Sequence, residues 1–492
     1  MLRSYFANVR RHEASIAAAE YARRKLDAAN SPINLLPLEI LVAIFRYATF
    51  TSPPLNYSDS WEKRPSLFST WKSEDIFFSI TLGAVCSHWR EVALSTPLLW
   101  TSFKYPLSLW EAKKASRHLL SLYLQNSKHL PIHLSLSFPE VFAENDYWHP
   151  SVDHVLMFNS ARIQSLSILS PPLRWFSFLN SMPSLVNLSI DWEGDPPYTT
   201  NRLPLQKCHS LSRFSLNGSQ HGNPRIIYQV PPSLTILDLS FVPVDHSIKV
   251  MLRCPSLVEA YIHEQYNADG PQDREWVKKW FTRPVVFPCL KIFLWNRLAH
   301  NNSEWANIFF EHLRTPVLET LIFTENQGQV WDYLTDELSF MGHLPPTLKT
   351  LKFVGIEYIN FDELEFLLGH NSPIENFSAC RCELRVLTGI FQALLPPSDA
   401  PELTRMPRLK SLSVDGCRSG RAAGWELGPR VFEPLITVLE RRLARGSTFR
   451  LELSGGVDWT PDAQARLQGL VENGIQLEIV EDMEPVHWLK SN

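Results

Sequence analysis

Pro183-Ser184-Leu185-Val186-Asn187-Leu188-Ser189-Ile190 carries the pattern that predicts most of the fold. Counted from Leu185, apolar residues stand at the first, fourth and sixth positions, and the alternation at Leu188 and Ile190 is typical of a strand with one buried face. The same frame recurs at steps of roughly 22 to 35 residues, which indicates a chain of structural repeats. The first apolar positions of the copies are Ile163, Leu185, Leu211, Leu234, Leu257, Leu290, Leu318, Leu348, Ile374 and Leu409.

A proline stands two residues before the first apolar position in most copies. Proline has no N–H to donate to a sheet, so it belongs just outside a strand. We therefore expect each of these prolines to mark the loop that leads into a strand. They are Pro183, Pro232, Pro255, Pro288, Pro316, Pro346 and Pro407.

The region from 130 to 492 resembles a leucine-rich repeat. The resemblance implies an irregular α/β solenoid with a parallel sheet on its concave side. The family's Asn or Cys, eight positions after the first Leu, is met at Asn326, Cys382 and Cys417 but is missing from most copies, so we expect variable convex segments. At the C-terminal end, Thr460-Pro461 should open a helix that Gly474 closes before a final strand.

The N-terminal part predicts a separate helical architecture. Residues 1–32 hold one helix, and residues 33–105 hold two amphipathic helices around a Pro- and Ser-rich insertion at 51–75. A helix pair this short cannot bury both apolar stripes against itself, so it needs a partner or a neighbouring domain. The stripes are Ile40, Leu41, Ile44, Phe45 and Ala48 in the first helix, and Leu82, Val85, Cys86, Trp89 and Ala93 in the second.

Three strings in this helical part resemble the F-box family. Leu35-Leu36-Pro37-Leu38-Glu39-Ile40-Leu41 followed by Ile44-Phe45 is similar to its opening, Val85-Cys86-Ser87-His88-Trp89-Arg90 to its later signature, and Pro97-Leu98-Leu99-Trp100 to its close. The insertion lengthens the family's usual link between the helices. The residues that the resemblance places towards an adaptor protein are Leu36, Pro37, Ile40, Leu41, Ile44, Phe45, Val85, Trp89 and Pro97. Some of these must instead pack the module's own core, and the sequence does not divide the set.

The F-box resemblance implies the substrate receptor of an SCF-type ubiquitin ligase. The F-box would bind a Skp-type adaptor and, through it, a cullin scaffold, while the repeat region would hold an unknown target protein. The chain would then act by positioning the target, and it would not itself be an enzyme. Two alternatives stay open: a scaffold that binds the adaptor without any role in ubiquitylation, and an enzyme with a site built across the repeat strands.

The strand frame also predicts where a target would bind. Because the apolar positions face the core, the alternate residues should face the concave side of the sheet. In the strands that begin near residues 187, 213, 236 and 259 these positions are largely polar, with no dominant charge. The predicted target-binding residues are Asn187, Asp191, Arg213, Asn217, Asp238, Glu259, Tyr261 and His263.

Composition and charge exclude several classes of protein. A net charge of -4 with no strongly basic segment argues against a nucleic-acid partner. No run of 18 apolar residues occurs, which argues against a membrane partner. The N-terminus lacks the apolar core of a secretory signal, and the seven scattered cysteines are typical of a reducing compartment. We expect a cytoplasmic or nuclear protein.

The sequence predicts no catalytic residue, metal or cofactor. It contains no phosphate-binding glycine loop, no G-x-S-x-G elbow and no H-E-x-x-H helix. Cys380 and Cys382 would share one face of a strand, but zinc needs four ligands and no second pair has suitable spacing. The cluster of Arg441, Arg442 and Arg445 is expected to be a solvated helix face.

Overall fold

The computed structural model divides the chain into two compact units. The first comprises residues 1–172 and 181–185, and the second comprises residues 173–180 and 186–492. The structure describes residues 15–16, 18–23, 32–49, 78–106, 113–138, 150–171, 175–192, 202–218, 227–265, 274–297, 304–325, 340, 343–357, 359, 364, 368–369, 372–395, 405–415, 429–443, 448–454, 459–481 and 484–489. The predicted insertion at 51–75 lies outside them, as does most of the predicted helix within residues 1–32, of which 15–16 and 18–23 are helical.

The helical part of the first unit contains one helix more than the sequence predicted. After a 3-10 turn at Pro32–Leu35 come α1 (Leu38–Thr49), α2 (Phe78–Val85), α3 (Ser87–Ser95) and a second 3-10 turn, Pro97–Trp100. The predicted second helix is therefore two helices. The reason is Cys86, whose extended backbone (φ -156°, ψ 173°) ends α2 and whose Sγ accepts a hydrogen bond from the Trp89 N–H, capping α3.

The first unit also holds strands of the repeat type. Among its described residues, β1 (Ser102–Pro106), β2 (Ile132–Ser137) and β3 (Ile163–Leu169) pair in parallel. Helices α4 (Lys113–Asn126) and α5 (Pro150–Asn159) and the 3-10 turn Ser160–Arg162 lie between them in sequence. Strand pairing thus begins at residue 102, before the predicted start of the repeat region at 130.

The second unit is of the α/β class, with a large and mostly parallel sheet. Its main strands lie side by side in chain order, and each pairs in parallel with the next until the last, short strand, which is antiparallel. They are β4 (Asn187–Asp191), β6 (Arg213–Asn217), β8 (Ile236–Ser240), β9 (Glu259–His263), β11 (Ile292–Arg297), β13 (Thr320–Glu325), β14 (Thr350–Val354), β15 (Asn376–Cys380), β16 (Ser411–Asp415), β17 (Thr448–Ser454), β18 (Gln476–Glu481) and β19 (Glu484–Pro485).

Helices and two small sheets complete the second unit. The helices are α6 (Phe176–Leu179), α7 (Val244–Leu252), α8 (Arg274–Lys278), α9 (Glu304–His312), α10 (Leu384–Leu394), α11 (Pro429–Arg442), α12 (Pro461–Glu472) and a 3-10 turn at His487–Leu489. β5 (Arg202–Pro204) pairs with β7 (Ile227–Gln229), and β10 (Val285–Val286) pairs with β12 (Leu313–Arg314), both in parallel.

The register of the main sheet follows the repeat frame. Leu188, the second apolar position of its copy, stands beside Phe214, then Leu237, then Ala260. All four side chains are buried. The alignment continues through Phe293, Leu321, Leu351, Phe377, Leu412 and Leu451. The predicted inward apolar positions of the strands are confirmed, and stacking these side chains builds the core. The opposite face is also buried in places, since Leu294 and Ile322 are 0% and 4% exposed.

The prolines of the frame form the turn that leads into each strand. At Pro255 the Leu257 N–H donates to the Cys254 carbonyl (3.2 Å), which closes a four-residue turn with proline at its second position. Proline favours this position because its fixed φ suits the turn. The equivalent bond forms at Leu185, Leu234, Leu290, Leu318, Leu348 and Leu409. The predicted role of the prolines is confirmed.

The C-terminal prediction is also confirmed. The Thr460 hydroxyl accepts a hydrogen bond from the Ala463 N–H (3.2 Å) at the start of α12. Gly474 follows the helix at φ +88°, a conformation that glycine adopts without strain, and β18 comes next. The added β19 pairs antiparallel with β18 at Val480 and Glu481.

Candidate functional site

The helical module of the first unit has a core of its own. Leu41 and Phe45 are 0% and 1% exposed. The Phe45 ring packs on Trp89, with the centroids 4.8 Å apart. The Trp100 indole N–H donates to the Ala93 carbonyl (2.7 Å), which ties the closing 3-10 turn to α3. Both of these contacts join residues that lie between 38 and 100.

Burial divides the predicted adaptor-facing set. Leu41 and Phe45 belong to the core. We therefore remove them from the predicted adaptor-facing residues, because a fully buried side chain offers no surface to a partner. Trp89 is half-buried against Phe45, so a charge placed there would disturb folding as well as binding. Leu36 and Pro97 are half-buried, and Pro37, Ile40, Ile44 and Val85 are exposed.

The exposed members form an unusual apolar surface. Ile40 and Ile44 are 48% and 41% exposed, and they lie four residues apart on one side of α1. Val85, at the end of α2, is 57% exposed. Isolated exposed apolar residues are ordinary, but several in one small module are typical of an interaction site. We call Ile40, Ile44 and Val85 the apolar face.

Two further apolar residues of the module that sequence reasoning did not select, Leu35 and Leu38, are 76% and 52% exposed. Their positions, in the turn before α1 and at its first residue, could have indicated this exposure. Helix spacing places Leu38 about 160° from Ile40 and about 20° from core position 45, so Leu38 lies on a different side of α1 from Ile40 and Ile44, and the 3-10 turn at Pro32–Leu35 precedes the helix.

The predicted target-binding residues lie on adjacent strands and bond to one another. The Asn217 side-chain amide donates to Asp191 Oδ1 (2.7 Å) across β4 and β6. His263 Nε2 lies 3.9 Å from Asp238 Oδ1 across β8 and β9. The Tyr261 hydroxyl donates to Glu259 Oε2 (3.0 Å) within β9. Parallel strands in register bring such residues side by side, which is why they form a connected polar row.

Part of this row is less accessible than the sequence predicted. Asp191, Asp238 and Tyr261 are 4%, 6% and 6% exposed, so these three support the row instead of presenting a surface. The physical reason is that a polar side chain with neighbours on both flanking strands is covered by them while its hydrogen bonds are satisfied. Half-buried positions remain at Asn187, Arg213, Asn217, Glu259 and His263.

Two thiols of the second unit are deeply buried. Burial raises the pKa of Cys208 to about 11 and that of Cys254 to about 12, so both stay protonated at neutral pH and are poor nucleophiles. Cys382 is fully buried and its Sγ donates to the Phe353 carbonyl, whereas Cys380 is half-buried. Among the described residues, no group of three His, Cys, Asp or Glu side chains could hold a metal ion.

A further polar surface lies near the C-terminal end. A cavity of about 910 Å³ is lined by strand residues that include Asn376, Ser411 and Arg450, together with Gly474. Arg450 is bonded to Glu452 (2.6 Å) and to both carboxylate oxygens of Glu478 (3.2 Å each), so its charge is already compensated. No helix within the described ranges is long and apolar enough to cross a membrane.

Comparisons with known proteins leave the family open. No family model matches the chain, and no curated protein sequence does. One similar solved structure is a structural genomics protein from Bacteroides fragilis, with 12% identity over 73% of this chain and 74% of that chain. Its TM-score of 0.25 is too low to carry an argument. Function must therefore be argued from this chain's own surfaces.

Proposed function

We propose that this protein is the substrate-recognition subunit of an SCF-type ubiquitin ligase. Its helical module would be an F-box that binds a Skp-type adaptor, and its strand repeats would form a leucine-rich-repeat-like solenoid that binds a target. One observation carries the proposal: the F-box-like strings fold into a module that buries Leu41 and Phe45 and leaves Ile40, Ile44 and Val85 exposed.

The separation of core from surface supports this function. Within α1, the buried pair at 41 and 45 and the exposed pair at 40 and 44 each follow the four-residue helical spacing, about 100° apart around the axis. Fully burying an apolar side chain of this size contributes about 1.5–3 kcal/mol. An apolar face left in water is therefore a source of affinity for a partner with a matching apolar surface.

The repeat region supports the second half of the proposal. Its strands are in register, and their alternate positions form the polar row described above. The half-buried Arg213, Glu259 and His263 offer both charges and an aromatic ring within three strands. A surface of mixed charge suits a protein target better than a polyanion.

The proposed mechanism is to bring a target close to an enzyme. The chain holds a target near a transferring enzyme, which raises the effective concentration of the target's lysines without any bond-making by this chain. Cys208 and Cys254 fit this division of labour, since burial raises the pKa of both thiols.

Co-purification tests the proposal. The tagged parent chain should bring down both a Skp-type adaptor and a cullin, and the double variant Ile44→Asp/Val85→Asp should lose both, because a charge without a partner in an apolar interface costs several kcal/mol. Adaptor without cullin would favour the scaffold alternative. A parent chain that recovers neither protein contradicts the proposal.

A further inference from the structure

Three tryptophans in the second unit form a cage on its helical side. Trp276 belongs to α8, Trp280 follows it, and Trp305 belongs to α9. The ring centroids are 6.4 Å (276 to 280), 5.7 Å (276 to 305) and 5.8 Å (280 to 305) apart, and the planes are inclined at 61°, 73° and 54°. Three mutually inclined rings at these distances contact one another and form one aromatic cluster, to which we give the name cage.

The cage is open to solvent. Trp276 and Trp280 are 37% and 47% exposed, while Trp305 is 3% exposed and rests on Phe281, 6.0 Å away between centroids. Trp305 is thus the floor and the other two are walls. The two walls therefore offer aromatic surface that a ligand can reach.

A lysine of the same chain lies over this cluster. The Lys249 ammonium, from α7, lies 4.6 Å from the Trp305 centroid, 5.5 Å from that of Trp280 and 5.9 Å from that of Trp276. All three distances are within the range of a cation–π contact. The site is therefore electronically suited to a cation, and its dimensions accept an alkyl stem with a charged end.

One carboxylate completes the site. Asp245, one helical turn before Lys249, accepts from the ammonium at 2.6 Å through Oδ2. Its other oxygen, Oδ1, is buried without a hydrogen-bond partner among the described residues. His246 Nε2 is 3.7 Å from the same Oδ2. The carboxylate adds a negative charge to the aromatic walls, so the cage prefers a cation to a neutral group of the same shape.

Lys249 is an imperfect occupant. An ammonium has three N–H donors, and Asp245 is the acceptor that the described part of the chain gives it. Aromatic faces accept charge but satisfy N–H groups poorly. A trimethylated ammonium has the same charge and no N–H groups, and it is less strongly hydrated, so it would lose less on entering the cage.

We propose that this cage is a binding site for the trimethylated side chain of a lysine in a partner polypeptide, and that Lys249 fills it in the free chain. We name a lysine side chain as the ligand because the cage already holds one, with its ammonium group against the rings. Because Lys249 belongs to the same chain, it competes for the cage at a high effective concentration. An unmodified lysine of a partner therefore does not displace it. This site is independent of the proposed ligase role.

Fluorine NMR of the full chain labelled with 5-fluorotryptophan tests the proposal, with Trp276→Phe and Trp280→Phe assigning the wall resonances. The probes are three capped lysine derivatives that differ only at the end group: ammonium, trimethylammonium, and an uncharged tert-butyl group of the same shape. We expect only the trimethylammonium probe to shift the wall resonances saturably. Trp280→Ala should weaken its binding about tenfold or more, since it removes one cation–π wall.

Replacing Lys249 gives a second test of the proposal. Lys249→Gln keeps an amide donor for Asp245 and removes the charge, so the trimethylammonium probe should bind this variant several-fold more tightly than the parent. The proposal is overturned if the trimethylammonium and tert-butyl probes shift the wall resonances equally. It is also overturned if neither the parent nor Lys249→Gln, with unchanged circular dichroism, responds to the trimethylammonium probe, which would leave the cage as structural support for Lys249.

Discussion

The indole of Trp89 packs on the ring of Phe45, with the centroids 4.8 Å apart and the planes tilted by 58°. This contact joins α1 to α3 across the long segment that separates them in sequence. It explains how two strings of sequence, 40 residues apart, produce one module. It also means that Phe45 serves folding while Ile44, its neighbour in sequence, is free to serve binding.

We expect Phe45→Ala to destabilise the module strongly. Removing a fully buried phenylalanine costs about 3–5 kcal/mol, through lost transfer free energy and the cavity left behind. Hydrogen exchange of the α1 amides should accelerate accordingly. The control is Tyr47→Ala on the same helix, where the side chain is 78% exposed and the change should stay within about 0.5 kcal/mol. Equal protection in both variants would contradict the assigned core.

The frame prolines and leucines should contribute very differently to stability. Pro255→Ala removes a turn residue and should cost about 0.4–1 kcal/mol, mainly because the unfolded chain gains freedom. Leu257→Ala, two residues later, empties a fully buried position and should cost about 2.7–5 kcal/mol. Urea unfolding measures both. Equal losses would mean that the turn, and not the stacked core, holds the repeat.

The polar row allows recognition and stability to be separated. Arg213→Ala/Glu259→Ala changes two half-buried side chains and should release a bound target, at a cost to stability of about the 0.5–1.5 kcal/mol of the hydrogen bond that Glu259 accepts from Tyr261. Tyr261→Ala should instead destabilise the fold, since this ring is buried, whereas Tyr261→Phe loses only the hydrogen bond to Glu259, worth about 0.5–1.5 kcal/mol. A target that binds the double variant as tightly as the parent excludes this row as its site.

One ion pair near the C-terminal end should make stability depend on acid. Arg466 donates to both carboxylate oxygens of Glu440 (2.8 and 2.7 Å), which holds the pKa of Glu440 below its ordinary value of 4.5. Because the pKa of Glu440 is lower in the folded state than in the unfolded chain, the ionised carboxylate stabilises the fold at pH values above the unfolded-state pKa. This contribution is lost as the pH falls through the lower, folded-state pKa.

The expected effect of removing that pair is small, because both groups are partly solvated. Glu440→Gln should lower the free energy of unfolding at neutral pH by about 0.3–1 kcal/mol, and the difference from the parent should disappear in acid, below the folded-state pKa of Glu440. Glu472→Gln, at an exposed position of α12, is the matched control and should have no effect at either pH. A difference that grows in acid would reverse the assigned sign.

The sequence predicted the repeat architecture well because its signal is redundant. Each copy repeats the same apolar spacing, so the strands, their register and the turns at residues such as Pro255 follow from a pattern that many positions share. The helix break at Cys86 was not predictable in this way. It depends on one extended residue whose thiol caps the next helix, and a cysteine carries no strong helix-ending signal.

The candidate site was predictable only as a set of residues. Leu41 and Ile44 are equally apolar in sequence, and only packing against α2 and α3 decides that the first is buried and the second exposed. Likewise, the alternation along the strands predicts that the side chains of Asp238 and Tyr261 point away from the apolar core, but their burial depends on side chains contributed by neighbouring strands. The tryptophan cage was missed because Trp276, Trp280 and Trp305, with Lys249 over them, come from α7, α8, α9 and the turn after α8, which share no sequence frame.

The most direct test of the central claim is the affinity of the purified chain for a purified Skp-type adaptor, measured by calorimetry on the parent, Ile40→Asp and Met157→Asp. Ile40 and Met157 are 48% and 51% exposed, so the two variants place the same charge on equally exposed apolar positions, one in the apolar face and one on α5. We predict that Ile40→Asp weakens binding about a hundredfold or more and that Met157→Asp leaves it unchanged. Equal affinity for all three chains would contradict the assignment of the apolar face as the adaptor-binding surface.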